Sequence, residues 1–134
     1  MTAPNIFPFL RYRNARKAIE WLGLAFGFEV HSFMDAEDGT VAHAELKLGP
    51  GIIMVGEARD DALGVKSPGE LDAVTGGIYV YVEDIDAHYA RASKHGAEMV
   101  FDIADMDYGA REYTARDLEG HLWSFGTYQP VVPG

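Results

Sequence analysis

The sequence contains no cysteine. That excludes disulfides, thiolate metal sites and a cysteine nucleophile, and it leaves the redox compartment open. Cations are scarce: 11 lysines and arginines stand against 21 aspartates and glutamates, a formal net charge of -10. Phosphate binding needs a basic face, so this balance speaks against a nucleic-acid partner and against anionic membrane surfaces. No apolar run approaches the ~18 residues of a membrane span, and no charged-then-apolar leader opens the chain; a cytoplasmic location without a membrane partner is expected. What is there is globular. At 134 residues, 48% hydrophobic and 24% charged, the chain suits a single domain (1–134) with a real core rather than a disordered segment.

Local punctuation divides the chain into two similar halves. Asn5 to Arg11 is an apolar run of strand length. Asn14 is a plausible N-cap for a helix running to about Phe26, with Ala15, Ala18, Ile19, Leu22, Ala25 and Phe26 as its apolar stripe and Gly27 as its stop. Phe28 to Met34 reads as a strand, residues 35–40 as a turn, and Val41 to Leu48 with Ile52 to Gly56 as a hairpin. Arg59 to Ala73 is polar and rich in Gly, Pro and Asp, a linker or lid. The plan then recurs: a strand at Gly77 to Val82, a helix from Ile85 to His95 behind Asp84, a strand at Glu98 to Phe101, a turn at 102–107, and a hairpin of Tyr108 to Arg116 and His121 to Tyr128. An offset of 70 places Phe7 on Gly77, Ile19 on Tyr89, Met54 on Ser124 and Val55 on Phe125. The repeat lies in element order rather than side-chain identity.

These units predict an α+β fold of two βαβββ modules, about 5–58 and 76–128, joined by a linker over 59–75. Their strands would form a curved eight-stranded mixed sheet, a cup with helices on the outside, because one face of each half-sheet packs on its helix and the other stays open. With residues 117–120 as the last turn, Tyr113 lies opposite Ser124. Trp123 and Phe125 then pack on a helix, while Arg111, Tyr113, Leu122 and Ser124 face the cup. The same parity turns Phe7, Phe9, His43, Glu45, Ile52, Met54, Tyr79 and Tyr81 inward. Mostly apolar walls with sparse polar groups are what a small-molecule site needs. His43 and Glu45, two apart on one strand, share a face and could form an acid/base pair. Arg111 is a candidate anchor for a carboxylate or phosphate. His31, His88 and His95 read as solvent histidines, His121 as structural.

Tyr108-Gly109-Ala110-Arg111-Glu112-Tyr113, then Asp117-Leu118-Glu119-Gly120 and His121-Leu122-Trp123-Ser124-Phe125-Gly126, resemble the C-terminal signature of glyoxalase/bleomycin-resistance proteins of the vicinal oxygen chelate superfamily. Gly27-Phe28-Glu29-Val30 resembles the family's helix exit, and the likeness runs over about 5–128. Leu118 stands where the family turn usually has proline, which would only pre-set a φ. The resemblance implies one metal ligand on each of the first, fourth, fifth and eighth strands, usually His, Glu or Gln. The aligned residues here are Phe7, Met54, Gly77 and Ser124, and a shift of one residue in either direction restores none. The expectation is therefore no metal and no cofactor, as in the family's metal-free, drug-sequestering branch. The function expected is binding of an aromatic or drug-like small molecule by a homodimer. The alternative is a glyoxalase-like lyase or isomerase acting on a small carbonyl compound through His43 and Glu45. A non-catalytic interaction module ranks last.

Overall fold

The computed structural model describes residues 4–133. In chain order the elements are β1 (Phe9–Tyr12), α1 (Ala15–Phe26), β2 (Glu29–Asp35), β3 (Val41–Leu48), β4 (Gly51–Glu57), α2 (Pro68–Leu71), β5 (Gly77–Tyr81), α3 (Ile85–Lys94), β6 (Glu98–Asp105), β7 (Arg111–Arg116) and β8 (Leu122–Gly126). The architecture is α+β with two βαβββ modules. Their strands form two four-stranded mixed sheets, ordered β1-β4-β3-β2 and β5-β8-β7-β6.

The repeat is visible in the ladders. Phe9 pairs with Met54 and Leu10 with Val55 in one parallel pair; Tyr79 pairs with Ser124 and Val80 with Phe125 in the other, an offset of 70 throughout. The third strands break it. Ala44 pairs with Val55, whereas Tyr113 pairs with Phe125, an offset of 69. The expected pairing of Tyr113 with Ser124 is thus corrected by one residue, and the cause is the turn. The carboxylate of Asp117 accepts the N–H groups of Glu119 and His121 at 3.0 Å each, holding His121 in the loop so that Arg116 pairs with Leu122.

Other boundaries moved for local reasons. Pro8 has no N–H, so the β1 ladder starts at Phe9, although the Pro8 carbonyl still accepts from Met54 at 2.8 Å. β6 runs on to Asp105 because register shifts on either side of Phe101 return Ala104 to pairing with Glu112. Residues 106–110 make the turn instead, and β7 begins at Arg111. The linker contains the short α2, with Pro68 in its first turn and the Ser67 N–H donating to Glu70 at 2.8 Å.

Helix α1 buries all six residues of the expected stripe. Its first turn carries Arg16 and Lys17, the unfavourable sign for a helix N-terminus. Carboxylates from elsewhere correct this: Glu119 accepts the N–H groups of Arg13 and Asn14 at 2.6 and 2.9 Å, and Glu57 accepts that of Ala15 at 2.8 Å. The other end of α1 has no basic residue in its last turn. There Arg91 of α3 donates to the carbonyls of Leu24 and Gly23 at 2.8 and 2.9 Å, and Gly27 takes the left-handed conformation (φ 87°) that ends the helix. Both ends of α1 therefore take part of their capping from the second module. The core is continuous across the two, with Phe26 of α1 packed on Trp123 and Phe125 of β8.

Candidate functional site

The faces of the sheets turned away from the helices are open. On the first sheet a row runs from Phe9 through Met54 and Glu45 to Ser32, with His43 beside Met34 in the next row. His43 Nε2 lies 3.0 Å from Glu45 Oε2. A cleft of about 290 Å³ sits over Phe9, Arg11, His43 and Met54, with Arg59 and Leu63 of the linker also lining it; no residue of the second module does. On the second sheet the matching row is Tyr79, Ser124, Thr114 and Phe101, and the Ser124 and Thr114 hydroxyls are 2.7 Å apart. The Tyr79 hydroxyl donates to the Tyr128 carbonyl at 2.7 Å. Both faces stay solvent-accessible: Phe9 is 53% exposed, Tyr79 37%, Tyr81 40% and Phe101 68%. Phe7 lies between the modules instead, in a cleft of about 400 Å³ shared with Gly77 and Leu122.

Besides Phe7, two residues expected in the cup lie elsewhere. Tyr113 is 1% exposed and packs on the helix side, stacked with Phe125 and bonded to His88 of α3. Arg111, two residues away and of the same parity, reaches Asp86 at the start of α3 and Asp105 of β6, at 3.1 to 3.2 Å. The one-residue slip at Asp117 exchanged the faces of β7, so Thr114 replaces Tyr113 on the open side. Arg11 was missed, although alternation with Phe7 and Phe9 was a sufficient signal. Arg59 and Leu63 had none, because a linker carries no periodicity.

His88 is not a solvent histidine. Its Nε2 donates to the Phe26 carbonyl at 2.8 Å, which leaves Nδ1 to accept from the Tyr113 hydroxyl at 2.6 Å. Burial, assisted by the Arg91 charge, holds its pKa below the ordinary 6.5, against an opposing pull from the Phe26 carbonyl. The unfolded chain therefore binds the proton first on acidification. The stabilisation is fully present above about pH 6.5 and is lost as pH falls from there toward the folded value. Thermal melts taken between about pH 8 and pH 5 should show a steeper acid decline for the native chain than for His88→Gln. Parallel declines would remove His88 from the account.

The family model for the Glyoxalase/Bleomycin resistance protein/Dioxygenase superfamily matches residues 6–125. The chain belongs to this superfamily. An uncharacterized protein of Mycobacterium bovis is 32% identical over 130 residues, covering 96% of this chain and 84% of that protein. The structure of TioX from Micromonospora sp. ML1 is similar at 33% identity, with a TM-score of 0.75 over 97% of this chain and all of that one. A glyoxalase-related enzyme from Clostridium phytofermentans shares the fold at 14% identity and a TM-score of 0.69, over 94% of this chain and 95% of that one.

The four positions that the family resemblance aligns with metal ligands carry Phe7, just ahead of β1, and Met54, Gly77 and Ser124 on β4, β5 and β8. A phenyl ring, a thioether, a bare backbone and a hydroxyl are a poor donor set for a divalent first-row ion. Among the described residues, no three His, Asp or Glu side chains come together as a metal-binding group. Among the described residues, His43 and Glu45 make a pair that no third His, Asp or Glu joins. Also among the described residues, no helix is long and apolar enough to cross a membrane.

Proposed function

We propose that this chain is a metal-independent small-molecule-binding protein that sequesters an aromatic or drug-like compound in the cytoplasm. The observation that carries the reading is that aromatic and thioether side chains lie on open sheet faces; the lack of metal-ligating side chains at the positions the family resemblance implies supports it. Phe9, Met54, Tyr79 and Tyr81 offer flat apolar surface, and His43, Glu45, Ser124 and the tyrosine hydroxyls offer sparse polar points. A second copy of the chain would cover these faces and complete the cup, since the cleft over the first sheet draws nothing from the second module of its own chain. Arg111 and Tyr113 drop out of the ligand-binding set. Thermal stability should not rise with Zn, Ni, Fe or Mn, because only an ion that binds the folded state raises its melting temperature. A metal-dependent rise of several degrees that EDTA abolishes would sink the proposal.

One observation favours a second reading, a lyase or isomerase acting on a small carbonyl compound. The 3.0 Å contact lets Glu45 orient the His43 ring, leaving Nδ1 to take a proton beside the carbonyl. Turnover of such a compound that survives replacement of both residues by Ala would eliminate that role.

A further inference from the structure

We infer that the cleft over the first sheet recognises a carboxylate carried on an aromatic body, with Arg11 as its anchor, and that Asp61 takes the place of that carboxylate in the free chain. The inference rests on the small-molecule reading above and adds the chemistry of the ligand.

Arg11 stands on β1 directly opposite Gly56 of β4. A Cβ at position 56 would come within 3.3 Å of the Ala42 carbonyl and 3.5 Å of Arg59 Nη2, so the bare backbone there keeps the floor of the cleft clear. The Arg11 side chain is only 11% exposed. Its Nη1 is shut off from solvent and has no hydrogen-bond partner. Its Nη2 meets Asp61 at 3.4 Å, a long contact for a charged pair. A buried guanidinium with an empty donor is costly, and a planar oxyanion that accepts two parallel N–H groups is the partner it fits. Arg59 adds a second loosely engaged guanidinium, with Nε 3.4 Å from the Glu57 carbonyl and Nη2 3.3 Å from that of Ala42. Phe9, Met54 and Leu63 supply the apolar walls.

The acidic groups nearby do not fill this role. Glu45 is engaged by His43. Asp61 belongs to the linker, in a turn held by the Leu63 N–H on its Oδ1 and the Gly64 N–H on its carbonyl. Its other oxygen, Oδ2, makes the single long contact to Arg11. An incoming carboxylate that displaces Oδ2 gains the empty donor as well as the occupied one. The net charge of -10 slows the approach of an anion, but exposed charges beyond about 8 Å are largely screened at physiological salt.

The test titrates 2-naphthoate and 2-naphthamide into the native protein, Arg11→Gln, Arg11→Lys and Asp61→Asn, by calorimetry with NMR of the Arg11 Nε–H. Asn at 61 keeps the Oδ1 acceptor for Leu63 and removes the competing charge. The native protein should bind naphthoate about tenfold or more tightly than naphthamide, the worth of a charged hydrogen bond. Arg11→Gln should abolish that preference, and Arg11→Lys should keep part of it. Asp61→Asn should tighten naphthoate several-fold and leave naphthamide unchanged; if the Arg11 variants do not fold, this result decides alone. Equal binding of both compounds with the Arg11 signal unmoved overturns the anion site and leaves the small-molecule reading standing. Binding of neither at millimolar concentration overturns both.

Discussion

Asp117→Asn should destabilise the protein by about 3–5 kcal/mol, roughly 10–20 °C in Tm for a chain of this size. Asp117 is 6% exposed, and its carboxylate accepts four donors. Oδ2 takes the Tyr12 hydroxyl at 2.6 Å and the Trp123 indole N–H at 3.0 Å, and Oδ1 takes two turn N–H groups. A carboxylate satisfies all four. An amide has one oxygen, so its NH2 group must confront either the two turn N–H groups or the Trp123 N–H, none of which can accept, while only the Tyr12 hydroxyl can turn to accept; a buried donor left unpaired costs about 1–3 kcal/mol. Burial beside Asp117 also pushes the Tyr12 hydroxyl well above its ordinary pKa, so that phenol stays protonated and keeps donating. Tyr12→Phe removes one donor together with its need for a partner, and should cost far less than the Asn variant. Urea unfolding monitored by tryptophan fluorescence measures both. A loss under about 1 kcal/mol for Asp117→Asn would mean that the network contributes little.

The same network shows where sequence reasoning ran out. The stripe, cap and stop of α1 are local features and were legible, as was the offset of 70, because each module repeats its punctuation. The width of the last turn was not legible. It depends on the Asp117 side chain, which is anchored by Tyr12 from the other module and by Trp123 of β8. One residue more in the loop turned Tyr113 and Arg111 to the helix side, and two of the expected site residues were lost with it. His43, Glu45, Met54, Phe9, Tyr79, Tyr81 and Ser124 kept their predicted faces, because β3, β4, β5 and β8 alternate regularly and the parallel pairs follow the repeat. His88 looked like a surface residue because α3 has a polar composition. Its partial burial comes from packing on Phe125 and Tyr113 of the second sheet and on Phe26 of α1, which no pattern within α3 records.

The contact between the two modules predicts the second large effect. Phe26→Ala should cost about 3–5 kcal/mol, as truncation of a buried aromatic side chain usually does. Phe26 is fully buried, with its ring 5.0 Å from Trp21 of its own helix but 4.7 Å from Phe125 and 5.5 Å from Trp123 of the second module. The cavity would therefore open between the modules rather than inside one. The caps of α1 bear on how the protein responds. Glu119 at one end and Arg91 and His88 at the other reach α1 from the second module. Helix α1 keeps only its Asn14, Glu57 and Gly27 caps and loses these partners if that module unfolds alone. The variant should accordingly unfold in one transition, moved to lower urea with the slope unchanged, and far-ultraviolet circular dichroism should coincide with tryptophan fluorescence. Two separated transitions would show that each βαβββ unit is stable without the other, and that the polar caps of α1 couple them only weakly.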